Sequence, residues 1–381
     1  MRDIQNSGAT MKTSIQIGTV MGIPIKIHIS FLLVLTLFPI LFAMENGDNV
    51  FGFAYVASTP LRYALSMVLT ILLFTCVLLH ELGHSWVAKR YGIAIRSITL
   101  MILGGIAAMD DIPRDPRAEM RISIAGPAVS LGIAAFCSIA YLGLHNITQT
   151  PVLSHITHLV WSLACINITL FTFNLIPAFP MDGGRVLRAW YAGHTPYLRA
   201  TRKAVYIGKM IAIVMGVFGL LVRSPFLILI AFFVYIGASE EERFTEVSVT
   251  LEGIKVSDIM TRNITQVPET MTISEVIRLM FEEKHVGYPV IDQFTRNVVG
   301  IVTFADIKNV PMSEHETVLV RDVMTTDLIF VSETADAVDA LKTMSAQKIG
   351  RLLVRDGTAI VGIVSRTDLM RSIEVLGYSE R

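Results

Sequence analysis

The sequence predicts a polytopic α-helical membrane protein, with six transmembrane helices and a membrane-associated β hairpin, followed by a soluble α/β module. Charged residues make up 17% of the chain and hydrophobic residues 52%, against ~25% charged in an ordinary soluble domain. The shortage of charge is uneven. Residues 28–240 hold nearly all the long apolar runs, and 241–381 has the composition of soluble sequence. That tail also carries an internal repeat.

The apolar segments lie at 28–44, 64–88, 121–144, 156–178, 205–222 and 224–238. A straight helix needs about 20 residues to cross the hydrocarbon, which the second, third and fourth segments supply. The fifth and sixth are short and are separated only by Arg223 and Ser224 before Pro225. Between the second and third, Ile93–Met109 is apolar but rich in β-branched residues and broken by Gly104-Gly105. It reads as a membrane-dipping hairpin, which at that depth must be buried in protein.

Lys and Arg orient the bundle. Arg2, Lys12 and Lys26 precede the first span, six more run from Lys89 to Arg121, and six from Arg185 to Lys209. The opposite loops contribute only Arg62 and Arg223. The expectation is a multi-pass protein of the cell membrane with both termini cytoplasmic, residues 1–27 being a cytoplasmic segment and 28–240 the bundle. Lys plus Arg equals Asp plus Glu at 32 each, so nothing points to a nucleic-acid partner. Cys76, Cys137 and Cys165 all lie in apolar runs without C-x-x-C spacing, so neither a disulfide framework nor a thiolate metal site is expected. The N-terminus lacks an apolar core followed by a cleavage site, so no removable signal peptide is expected.

Two carboxylates stand out. Glu81 is the one acid between Val50 and Met109, and Asp182 the one acid between Arg121 and Ser239. An acid at membrane depth costs several kcal/mol unless it has a partner or a task. Glu81 belongs to His80-Glu81-Leu82-Gly83-His84. On a helix His80 and His84 share one face, so two imidazoles converge on one metal, with Glu81 turned aside as an acid/base. A catalytic zinc takes three protein ligands and keeps the fourth position open. Asp182 is the candidate third, in a segment broken by Pro177 and Pro180 and followed by Gly183-Gly184, where the backbone can approach closely. Its competing reading is a helix-terminating turn in which Asp182 pairs with Arg185.

H-E-L-G-H in the second span, with Asn174-x-x-Pro177-x-x-Pro180-x-Asp182-Gly183-Gly184 after the fourth, resembles the site-2 protease family of intramembrane metalloproteases. Leu103-Gly104-Gly105, Ala125-Gly126-Pro127 and Gly22-Ile-Pro24-Ile-Lys-Ile-His28 match as well. The resemblance implies one zinc per chain on His80, His84 and Asp182, with Glu81 as the catalytic acid/base. It implies Asn174 as a group that positions substrate or stabilises an oxyanion, and a membrane-anchored protein as substrate.

In the tail, Val256-x-Asp258-Ile-Met260-Thr261 recurs as Val320-x-Asp322-Val-Met324-Thr325, and Gly300-Ile-Val-Thr303-Phe-Ala-Asp306 as Gly362-Ile-Val-Ser365-Arg-Thr-Asp368. Each copy reads helix, strand, strand, helix. The pattern resembles a tandem pair of CBS domains, at 252–309 and 319–376. That resemblance implies an adenine nucleotide between the copies, with Thr303 or Ser365 on phosphate and Asp306 or Asp368 on ribose, and a homodimer formed through the pair. The competing reading has the pair dimerising only, its aspartates capping helices. The leading expectation is an intramembrane zinc endopeptidase regulated through its CBS pair. The alternative is a CBS-gated metal-ion channel or transporter, which has no need of Glu81 beside two histidines on one face.

Overall fold

The computed structural model describes residues 14–45, 50–102, 104–109, 114–147, 150–357 and 359–377. Arg2, Lys12 and Leu103, used above, lie outside them. The chain divides into two compact units, Met1–Glu246 and Val247–Arg381.

The first unit opens on β1 (Ser14–Val20) and β2 (Ile23–His28). They pair antiparallel across Met21 and Gly22, both at positive φ, which matches the right-handed twist of a two-residue hairpin. Helix α1 (Phe31–Met44) and the 32-residue α2 (Thr59–Arg90) follow. Next come β3 (Ile95–Met101) and β4 (Gly104–Met109), which pair antiparallel, and β3 also runs parallel to β2, giving a four-stranded sheet in the order β1-β2-β3-β4. Ile23, Ile25 and Ile98 on one face of this sheet pack against Leu78 and Leu82 of α2. The sheet is thereby fastened beside the turn of α2 that carries Glu81.

Helix α3 (Pro116–His145) starts where Asp115 accepts hydrogen bonds from the amides of Arg117 and Ala118. Helix α4 (Pro151–Asn174) starts where Thr150 accepts from Leu153. These are N-caps satisfying amides that have no partner inside their own helix. The helix of the fourth apolar segment ends short of residue 178, where the prolines predict a break. It stops at Asn174, because Pro177 cannot donate and disfavours helix just before it. Residues 175–181 then form a folded loop leading to a helix not anticipated from the sequence, α5 (Asp182–Ala192). Helix α6 (Tyr197–Leu221) and most of α7 (Pro225–Thr250) complete the unit.

Among the described residues, four helices are long and apolar enough to cross a membrane: α2, α3, α4 and α6. Helix α1 is a shorter apolar helix of 14 residues. Helix α7 is longer than the fifteen residues of its apolar segment, because it continues through Glu240-Glu241-Glu242 to Thr250.

The second unit repeats one pattern. The first round is α8 (Val256–Ile259), β5 (Val267–Pro268), α9 (Ile273–Glu283), β6 (Gly287–Ile291), β7 (Val298–Thr303) and α10 (Phe304–Ile307). The second round is α11 (Val320–Val323), β8 (Phe330–Ser332), α12 (Ala337–Ala346), β9 (Arg351–Asp356), β10 (Ala359–Ser365) and α13 (Arg366–Gly377). Each round forms a three-stranded sheet with one parallel and one antiparallel pairing, so each has a first strand that the helix-strand-strand-helix reading did not include.

The rounds exchange their first helices. Val256 and Met260 pack into the core built from α12, β9 and β10, whereas Val320 packs into the core built from α9, β6 and β7. Backbone bridges Thr261–Ile363 and Ile301–Thr325 tie the exchange on both sides.

Candidate metal centre

One stripe of α2 faces inward: Phe74, Val77, His80, His84 and Ala88 recur at three- and four-residue spacing and are buried. His80 and His84 are 5% and 6% exposed. Each ring is fixed from behind. His84 Nδ1 lies 2.7 Å from the Ile122 carbonyl oxygen, which can only accept, so Nδ1 carries the hydrogen. His80 Nδ1 lies 2.9 Å from Ser130 Oγ. Both partners are on α3 or its first turns, and both leave Nε2 facing inward, as the second contacts of metal-binding imidazoles do.

Asp182 arrives from the far side at the start of α5. Its Oδ2 stands 3.3 Å from His80 Nε2 and 3.2 Å from His84 Nε2, and the two Nε2 atoms are 3.1 Å apart. Among the described residues this is the one group of three such donors whose ligand atoms converge. Three ligand atoms on a tetrahedral ion with bonds of about 2.0–2.1 Å stand roughly 3.3 Å apart, so the triangle has the size zinc requires. In the neutral ring His84 Nε2 is an acceptor aimed at a carboxylate, an opposition that a cation between them resolves. The residues fit the metal.

Space for an ion is kept by Gly126 of α3, where a Cβ would collide with Nε2 of both histidines. Gly105 of β4 likewise abuts the Glu81 side chain, where a Cβ would meet Glu81 Cγ. Glu81 is thus held next to both histidines and against an edge strand. Gly183 and Gly184 sit on the backbone of Leu175–Ile176 and Ala178–Phe179, so the loop folds back onto the first turn of α5 and presents Asp182. The short side-chain contacts of Asp182 run to the two histidines.

Asn174 ends α4 and donates one amide hydrogen to the Leu170 carbonyl at 2.9 Å. His28, His145, His155, His158, His194, His285 and His315 do not join the cluster. Of these, His158 sits edge-on to Phe53 and Tyr55, with centroids 5.1 and 5.3 Å apart. Sequence reasoning did not find Ser130, the Ile122 carbonyl or the roles of Gly105 and Gly126. The glycines were visible in the motifs, but their neighbours lie far away in sequence.

In the second unit Thr303 donates from N and Oγ1 to Asp306 Oδ2 at 2.8 and 2.6 Å, and Ser365 does the same to Asp368 at 2.8 and 2.6 Å. The two pairs therefore start their helices in the same way but differ in setting. A cavity of about 460 Å³ is lined by Thr303, Asp306, Thr325, Asp327, Lys348 and Arg351, and its lining does not include Ser365 or Asp368.

The sequence pattern of Peptidase family M50 matches residues 68–149 and 142–215, spanning the histidines and Asp182. A zinc metalloprotease of Methanocaldococcus jannaschii is 40% identical over 97% of this chain and 99% of its own length. The chain belongs to Peptidase family M50. Rip3 of Mycobacterium tuberculosis, another relative, is 31% identical over 96% of this chain and 94% of its own. A solved site-2 protease from Methanocaldococcus jannaschii is 44% identical and covers 60% of this chain and 95% of that one, with a TM-score of 0.43. The CBS domain pattern matches residues 256–313 and 320–375, so this M50 peptidase carries a tandem CBS pair. Its family and its four long apolar helices make it a membrane protein.

Proposed function

We propose that this M50 peptidase is an intramembrane zinc endopeptidase that hydrolyses peptide bonds in or near the transmembrane segments of membrane-anchored proteins. The observation that carries the reading is the triangle of His80, His84 and Asp182 donors at 3.1–3.3 Å, set beside Glu81 in an apolar helix. Names of relatives such as the Methanocaldococcus jannaschii zinc metalloprotease support zinc as the ion. Zinc held there supplies a Lewis acid that polarises a carbonyl and makes water acidic enough to attack it.

This chain's residues do the rest. The rings of His80 and His84 are held in orientation by Ser130 and the Ile122 carbonyl. Glu81 takes the proton of the attacking water and returns it to the leaving amine. Asn174 Nδ2 has a second hydrogen beyond the one bound to Leu170, and in this reading it donates to the developing oxyanion. Glu81 beside the cluster favours hydrolysis over a metal-ion channel or transporter, which would need the donors alone.

The bundle is read as residues 28–240 with six spans, α1, α2, α3, α4, α6 and the first part of α7, with β3 and β4 dipping into the membrane. Charge bias favours cytoplasmic termini. The second unit is read as CBS domains at 252–309 and 319–376, forming a homodimer and binding an adenine nucleotide. Its cavity has the size of a small-ligand site and a cation-bearing lining, Lys348 and Arg351, suited to phosphate.

The test uses the purified full chain with a helical membrane peptide. Cleavage should stop on zinc chelation and return on adding zinc. Glu81→Gln should keep its zinc and lose about 10²- to 10⁴-fold in kcat. Full activity in Glu81→Gln, or zinc retained undiminished in His84→Ala, contradicts the reading.

A further inference from the structure

Helix α7 runs along the back of the loop that delivers Asp182. Val234 of α7 is buried with Ala178 of that loop, and Ala238 is buried with Phe179. Gly237 lies so close to Pro180 that a Cβ there would collide with the proline ring. One turn further, Glu241 Oε1 is 2.5 Å from Arg188 Nη1. Val234, Gly237, Ala238 and Glu241 are spaced as one face of a helix. That face follows the chain from Ala178 to α5.

Arg188 is the other half of the contact. It lies on α5, the helix that Asp182 begins, and is only 5% exposed. Its Nε donates to Glu119 Oε1 of α3 at 2.7 Å, and its guanidinium lies 5.0 Å from the ring centres of Phe179 and Tyr197. Glu119 is 1% exposed, and its second oxygen finds no hydrogen-bond partner among the described residues. A buried guanidinium shared between two carboxylates has one geometry that serves all three, so it clamps α5 between α3 and α7. A second ion pair on α7, Glu246 with Arg202 of α6, is half exposed.

We propose that α7 is the positioning element for Asp182, with Arg188 and Glu241 as the positioning pair that holds α5 in register. Nothing in the hydrolytic reading assigns them a task. Helix α7 continues to Thr250, and Val247 and Leu251 belong to the hydrophobic core of the second unit. The helix that backs the metal loop is thus also the one that leads the chain into the CBS pair.

The inference rests on Asp182 being a metal ligand, and the experiment separates the two ideas. Zinc-loaded full chain in detergent is mixed with a chelator and the rate of zinc release followed, while hydrogen exchange is read at residues 183–192. Glu241→Gln and Gly237→Ala are expected to release zinc about 10- to 100-fold faster, the usual effect of disturbing a group that orients a ligand. Both should also exchange faster in α5, while Glu246→Gln behaves as the unmodified chain. Release and α5 exchange unchanged in both variants, or matched by Glu246→Gln, overturn the inference. If the chain binds zinc undiminished after Asp182→Ala, the metal reading fails instead, and α5 exchange still decides whether α7 holds that helix.

Discussion

Gly126 does for the metal centre what no donor could: it leaves the space empty. Its neighbours His80 and His84 are 46 and 42 residues away in sequence, and a single methyl on α3 would overlap both Nε2 atoms. Gly126→Ala is therefore expected to abolish stoichiometric zinc binding while helix content stays near that of the unmodified chain, as checked by metal analysis and circular dichroism. The motif made the histidine donors themselves legible. Two histidines one turn apart with an acid between them point to a metal in a helix otherwise free of charge, and scarcity of acid in the apolar half singled out Asp182. The contacts that aim the rings, Ser130 and the Ile122 carbonyl, were not legible, because one is a common hydroxyl and the other a backbone atom.

At the scale of elements, long apolar runs showed where the helices of the first unit lie but not where they end. Caps settled the starts, as at Asp115 and Thr150, and proline ended α4 before its apolar run was exhausted. Helix α5 escaped notice because it is only 11 residues long and follows a Pro/Gly-rich stretch that reads as a turn. In the second unit, the start of α9 carries a reciprocal capping box. Glu275 accepts from the Thr272 amide at 2.9 Å and its hydroxyl at 3.0 Å, and Thr272 Oγ1 accepts from the Glu275 amide at 3.3 Å. The Thr272 amide and hydroxyl hold the Glu275 carboxyl below the usual glutamate value. A carboxyl that is more acidic folded than unfolded stabilises the fold above its unfolded value of about 4.3, and that contribution fades as pH falls through the folded value. Glu275→Gln should lower the melting temperature of the second unit at pH 7 and make little difference at pH 3. Thermal unfolding across that range, read from residues of the second unit, checks it.

Across the whole molecule, the repeat explains its own motifs. Met260 and Met324 recur in the two copies, as do Gly300 and Gly362, and the structure pairs them crosswise. A Cβ on Gly362 would strike Met260, and one on Gly300 would strike Met324. The repeat thus closes on itself, with each copy supplying a helix to the other's core. The cavity takes Thr303 and Asp306 into its lining and not their counterparts. Asp306→Ala should weaken binding of adenosine triphosphate by about tenfold or more, consistent with loss of a hydrogen-bonding carboxylate worth ~1.5–3 kcal/mol. Asp368→Ala should leave affinity near that of the unmodified chain and lower stability by about 1 kcal/mol through the lost cap. Calorimetric titration of both variants distinguishes them; equal losses would count against a single cavity site.

The sequence by itself determined that the chain is a membrane protein with a repeated tail, and which side chains could bind a metal. Those properties are local: the length of an apolar run, the spacing of a motif on one helix, and the cost of a carboxylate in hydrocarbon. Only the tertiary structure decided that Asp182 meets His80 and His84, that Gly126 clears the space between them, and that α7 backs the loop. Those facts depend on distances between segments 40 to more than 100 residues apart. No periodicity in a single chain encodes such distances, and packing alone sets them.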